Sequence, residues 1–117
     1  MSLKSAAHYR KQRDRVWTRD KGRCVVCGGP GTQVHHRRGR GGPDPHSMEN
    51  LLLVDDECHR RIHGNPAWSY ENGYMVRRHG VIPPDRVPVL INTLPVWLTP
   101  DGLSHPQIGA DDAHVFG

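Results

Sequence analysis

Apolar positions are sparse along this chain, and their spacing changes character several times. Over residues 5–19 no Pro or Gly interrupts a stretch rich in Arg, Lys and Gln. Ala6, Tyr9, Arg13 and Val16–Trp17 recur there at helical intervals, which predicts a helix with a weak inner stripe. Asp20-Lys21-Gly22 ends it. Residues 32–36 and the apolar run 51–54 read as two short strands. Asp55 or Asp56 is a suitable N-cap for a helix over 57–63, closed by Gly64. Between these elements, Cys24-Val-Val-Cys27-Gly-Gly forms a turn carrying two thiols, and 37–48 (RRGRGGPDPHSM) is a Gly/Pro/Arg loop. Residues 66–69 read as a turn or short helix. Residues 74–77 and 88–98 read as strands or extended segments, separated by the break at Pro83-Pro84. Residues 99–117 carry little apolar pattern and are expected to be mostly mobile. The pattern predicts an α+β chain with one domain over 1–98, its core motif at 24–63, and a flexible tail over 99–117.

At 117 residues, with 35% hydrophobic residues and a single Phe, burial alone builds only a marginal core. Three cysteines and nine histidines point to a bound metal as the staple. Three cysteines cannot all pair within one chain, so a disulfide scaffold does not account for them. No stretch approaches the roughly 18 apolar residues of a membrane span, and Met1 is followed by no secretory pattern. The expectation is a cytoplasmic protein without a membrane partner.

The net charge of +4 is unevenly placed. Residues 1–40 hold eleven Lys/Arg against two Asp/Glu, whereas 41–117 hold five against ten. A basic run is often only a solvated face. Here it leads into a histidine cluster, which favours a polyanionic partner whose phosphates Lys and Arg neutralise.

Two groups of metal-ligand residues interleave. His59 and His63 are four apart, so on a helix they share a face and can grip one ion. His35-His36 closes the first predicted strand. Adjacent strand residues point to opposite sides, so one of the pair can join the ion while the other faces elsewhere. Three protein ligands and an open position are the arrangement of a catalytic ion. Three imidazoles suit zinc, nickel, cobalt and manganese and fit magnesium poorly. His8, His46, His79, His105 and His114 read as surface residues or helix-end cations.

The second group is Cys24-x-x-Cys27 with Cys58. Cys58 and Ile62 lie on a helix face that His59 and His63 do not share, so the helix can present sulfur to one ion and nitrogen to another. A closed zinc site needs a fourth ligand. Asp55, three residues before Cys58, is the best placed; its other reading is a plain N-cap, and His46 is a weaker alternative. Trp17, Trp68 and Trp97 read as core residues.

Cys24-Val-Val-Cys27, His35-His36, Asn50-Leu51-Leu52 and Cys58-His59-Arg60-Arg61-Ile62-His63 together resemble the HNH endonucleases, especially the small zinc-stapled kind of bacteriophages and bacteria. The resemblance covers residues 24–63. It implies a ββα-metal fold, in which a two-stranded hairpin packs on a helix with the ion between them. It implies that His36 is the general base and that Asn50 hydrogen-bonds backbone to hold the His36 ring. It implies that His59 is the last histidine of the motif and a metal ligand, with His35 and His63 completing the set. Members usually carry a second C-x-x-C, whose first cysteine falls at Asp55 here, so this chain departs from the pattern at the structural zinc.

The function expected from the resemblance is metal-dependent hydrolysis of DNA phosphodiesters, with one catalytic divalent ion and one structural zinc. Arg13, Arg37, Arg38, Arg40 and Arg60 are the expected phosphate contacts on double-stranded DNA, with weak sequence preference. A phage terminase or packaging protein is a further partner that the resemblance suggests. The competing reading is a non-catalytic, zinc-stabilised nucleic-acid-binding module. It needs Cys24, Cys27 and Cys58 but has no use for His36 or Asn50. A redox protein built on Cys24-x-x-Cys27 leaves the histidines unexplained.

Overall fold

β-Strand Leu51–Val54, with all four side chains buried, is the element on which the rest is assembled. We name the elements in chain order: α1 (Leu3–Arg19), β1 (Gln33–His36), β2 (Leu51–Val54), α2 (Asp56–Gly64), α3 (Pro66–Glu71), β3 (Val89–Ile91), β4 (Leu94–Leu98) and β5 (Ser104–Pro106). The structure is a computed structural model, and it describes residues 3–41 and 44–106. It is a small mixed α/β arrangement with two antiparallel sheets, β1-β2 and β3-β4-β5.

Because strand side chains alternate between faces, β2 serves two cores at once. Leu51 and Leu53 join Val16 of α1, Met48 and Val34. Leu52 and Val54 join Cys24, Cys58, Ile62, Tyr74, Val89 and Leu98. The β1–β2 sheet is thus sandwiched between α1 and α2. Its register pairs His35 with Leu52 and His36 with Leu51. Paired residues of an antiparallel ladder share a face, so His35 points toward α2 and His36 toward α1.

α1 presents Gln12 and Val16 to the interior, while Arg13 and Trp17 are exposed. The inner stripe thus keeps Val16 and the half-buried Tyr9 that the spacing suggested, but Gln12 takes the place of Arg13, and Trp17 is not a core residue. A pair at the helix end docks it. The Arg19 guanidinium grips the Asp20 carboxylate at 2.8 and 3.0 Å and donates to the Met48 carbonyl, while Asp20 accepts from the Leu53 amide at 3.0 Å.

Asp55 is the N-cap of α2, accepting from the Cys58 amide. Gly64 lies inside the helix, and Asn65 is its C-cap with φ −135°, so no left-handed glycine closes it. The expected strand over 74–77 is absent. Tyr74 donates its backbone N–H to the Ser69 carbonyl at 2.8 Å and turns its own carbonyl to His35, leaving neither for a ladder. The single extended stretch expected over 88–98 is a hairpin, turning at Asn92 and Thr93 with φ of 53° and 66°. The sheet also continues beyond residue 98. β5 pairs with β4, and Arg15 holds the Asp101 carbonyl at 2.9 Å. The expected mobile tail is thus ordered as far as residue 106, and 107–117 lie outside the described residues. No helix among the described residues is long and apolar enough to cross a membrane.

Candidate functional site

One ligand atom from each of His35, His59 and His63 lies within 4.8 Å of the others. β1 supplies the first and α2 the other two, one turn apart on the face that looks at β1. The His35 Nε2–H donates to the Tyr74 carbonyl at 2.7 Å. Its Nδ1 is buried and has no hydrogen-bond partner. A buried, unpartnered imidazole nitrogen carries a desolvation cost unless something accepts its lone pair. Burial, offset in part by the Tyr74 bond, pulls the His35 pKa down to about 3, so the ring is neutral and Nδ1 is free for an ion.

His59 is oriented in the same way. Its Nδ1–H donates to Gln33 Oε1 at 2.6 Å, and the amide of Gln33 is held by its own donation to Asp56 Oδ1 at 3.0 Å. That leaves His59 Nε2, which lies 3.2 Å from His63 Nε2. Two nitrogens bound at about 2.0–2.1 Å to one tetrahedral ion stand roughly 3.3 Å apart, so this spacing suits a shared cation. Gln33 escaped the sequence reading. Its signal is its place two residues before His35, on the same strand face.

The second cluster is Cys24, Cys27, Asp55 and Cys58, whose ligand atoms also lie within 4.8 Å of one another. The knuckle is a tight turn in which the Gly28 amide donates to the Cys24 carbonyl at 2.8 Å and Gly28 takes φ 80°, open only to glycine at little cost. The Val25 amide, bonded to the Leu53 carbonyl, pins it to β2. Asp55 caps the helix and also joins the cluster, because its two oxygens divide the work. Oδ1 caps α2 at the Cys58 amide, and Oδ2 meets Cys27 Sγ at 2.9 Å. The Asp55 carboxylate holds the Cys27 thiol's pKa up, and burial does the same for Cys58. The cluster can bind a metal such as zinc, which takes its ligands deprotonated and displaces those protons. His46, the weaker alternative for the fourth ligand, lies elsewhere.

His36 faces α1. Its Nε2 is 3.0 Å from His46 Nδ1, and its ring stacks on Tyr9 with centroids 5.9 Å apart. Burial, then the Arg40 charge, lowers its pKa to about 4, and His59 is close enough to add to the shift. Asn50 stitches the loop that leaves His36. Its Oδ1 accepts from the Arg38 amide, and its Nδ2 donates to the carbonyls of Gly39 and Pro45 at 3.2 and 3.0 Å.

No family model, curated protein or solved structure matches this chain.

The arginines divide sharply. Arg37 is 1% exposed, and its guanidinium donates to the carbonyls of Gly73, Glu49, Pro84 and Val87. Four of its five N–H hydrogens are spent on backbone and its burial keeps phosphate away, so it is a framework residue, contrary to the sequence expectation. Arg13, Arg40 and Arg60 are exposed, and Arg38 is half-buried. Arg40 lies over the Tyr9 ring at 5.4 Å, beside His36. Nor is His46 the surface residue that was expected, since it is only 9% exposed.

Proposed function

We propose that this chain is a metal-dependent DNA endonuclease of the HNH type, with β1, β2 and α2 as its ββα-metal core. The observation that carries the reading is the division of labour at the end of β1. His35 turns to the α2 histidines with a bare nitrogen, and its neighbour His36, neutral and buried, looks toward the side bearing Arg40 while staying near enough to His59 to feel its charge.

In this reading His35, His59 and His63 hold one divalent ion, and Gln33 and the Tyr74 carbonyl orient two of them. A bound ion there supplies positive charge to a phosphodiester and to its departing oxygen. Neutral His36 removes a proton from the attacking water, which requires a ring uncharged at working pH. Asn50 holds the backbone of the loop after His36 and so fixes where that ring sits. Arg40, Arg38, Arg60 and Arg13 supply phosphate contacts, which position DNA without reading its sequence. The thiol cluster, stapling the knuckle to α2, keeps β2 and α2 in register around the histidines. A binding module without catalysis would account for the thiol cluster alone, leaving the bare nitrogen of His35 without a purpose.

The test is supercoiled plasmid incubated with purified protein and manganese, nickel, cobalt, zinc or magnesium in turn. Conversion to nicked or linear DNA with at least one ion, abolished by EDTA, is expected. Binding without cleavage under every ion overturns the reading.

A further inference from the structure

We propose that His46 is the positioning residue for His36, fixing its ring and its tautomer. The proposal rests on the reading of His36 as the base. His46 lies in the irregular segment between β1 and β2, ten residues after His36, where neither strand nor helix periodicity marks it. The fold nevertheless buries it and brings its Nδ1 to 3.0 Å from His36 Nε2.

Three features show that this contact is built. The His46 ring packs against Tyr9 with centroids 4.6 Å apart, and Tyr9 in turn stacks on His36, so one aromatic of α1 backs both rings. The His46 main chain is held from the same helix by Gln12, only 4% exposed, whose Nε2–H donates to the His46 carbonyl at 2.9 Å. From the loop side, Asn50 holds the neighbouring Pro45 carbonyl at 3.0 Å. A buried glutamine on an otherwise basic helix thus serves the backbone of the residue that touches His36.

Between two neutral imidazoles, one nitrogen must donate and the other accept. Whichever way the bond runs, it settles which His36 nitrogen carries the hydrogen, and so which one is left with a lone pair. Without His46 the ring is free to rotate and to exchange tautomers. The interaction sets geometry, and His46 need not touch DNA.

The test uses the full zinc-loaded chain with His46→Leu, which removes the polar atom, and His46→Asn, whose side-chain amide can still reach His36 as donor or acceptor. Long-range 1H–15N spectra of the imidazoles report the His36 tautomer directly, and plasmid nicking with manganese gives kcat and KM. His46→Leu is expected to convert His36 from one tautomer to a mixture. Its kcat should fall about 10²-fold, the low end of what a positioned base contributes, with KM within about twofold and metal content unchanged. His46→Asn should retain one tautomer and most of kcat. Should His46→Leu fail to fold, Gln12→Leu, which releases the His46 carbonyl, is expected to give the same mixture in milder form. A single unchanged His36 tautomer with wild-type kcat in the folded Leu variant, or in Gln12→Leu if that is the one that folds, overturns the proposal. Wild-type protein that cuts no DNA defeats the nuclease reading instead, while the ring spectra still decide whether His46 fixes His36.

Discussion

His35 donates its Nε2–H to the carbonyl of Tyr74 at 2.7 Å, and that bond determines which nitrogen is left for an ion. Tyr74 sits in an irregular segment after α3, 39 residues along the chain, so the ligand geometry of β1 depends on a distant part of the fold. Gln33 does the corresponding work for His59 from within β1. Groups that orient a ligand in this way contribute strongly to metal affinity.

Gln33→Leu should therefore weaken metal binding at the histidine cluster by about 10- to 100-fold. Zinc at the thiol cluster should be unaffected, because Gln33 does not touch it. Competition titration against a chromophoric chelator separates the two sites. Unchanged affinity at the histidines would show that the Gln33–His59 bond is incidental.

The thiol cluster makes a second prediction. Cys24 and Cys58 belong to the same core as Leu52, Val54 and Ile62, so an ion held there is part of the folding energy of a small domain. The purified protein should carry structural zinc near one per chain, and Cys27→Ser should lose it and melt at a much lower temperature. Asp55→Asn separates the two roles of that residue, since Asn caps a helix about as well as Asp but lacks the charge. It should lose zinc affinity with a smaller fall in melting temperature than Cys27→Ser, because water can fill the vacated position. Asp55→Ala should lose the cap as well, at a further cost of about 1 kcal/mol. An Asn variant that keeps zinc as tightly as wild type would reduce Asp55 to a cap.

Arginine variants should fall into two classes. Removing Arg37 takes a donor from four carbonyls, of which that of Pro84 keeps the Val87 amide, and each group left unsatisfied costs about 1–3 kcal/mol. Although burial pulls its pKa down to about 9, Arg37 remains a cation at neutral pH, so Arg37→Met loses a charged donor. A destabilisation of roughly 3 kcal/mol or more is expected, on the order of 10 °C or more in melting temperature. Arg13→Gln, Arg40→Gln and Arg60→Gln should leave melting nearly unchanged and weaken duplex binding. Each should lower the log–log salt slope by about 0.9 if it makes one phosphate contact. A full slope in all three variants would place the DNA path elsewhere.

Much of the site was legible because its signals are local. The i, i+4 spacing of His59 and His63, the adjacent His35 and His36 at a strand end, and the Cys24-x-x-Cys27 turn each follow from the periodicity of one element. What escaped depends on contacts across the fold. Arg37 reads as a phosphate ligand in an arginine-rich loop, and only the arrival of four distant carbonyls reveals it as framework. His46 lies in a loop with no period, and its burial is set by Gln12 and Tyr9 on α1. The β3–β4 hairpin was missed because two-residue hairpin turns with positive φ usually announce themselves with Asn-Gly. Asn92-Thr93 places a β-branched residue where glycine is usual.

The central claim is that His36 is the base and the His35–His59–His63 cluster is the metal centre, two functions separated by one residue of a strand. The most direct measurement is plasmid nicking by His36→Ala alongside its metal content, under the ion that best supports the wild-type protein. The account predicts that the variant keeps wild-type metal stoichiometry and melting behaviour while its rate falls by about 10²–10⁴-fold, the contribution of a positioned general base. A variant that cuts at close to the wild-type rate, still inhibited by EDTA, would contradict it.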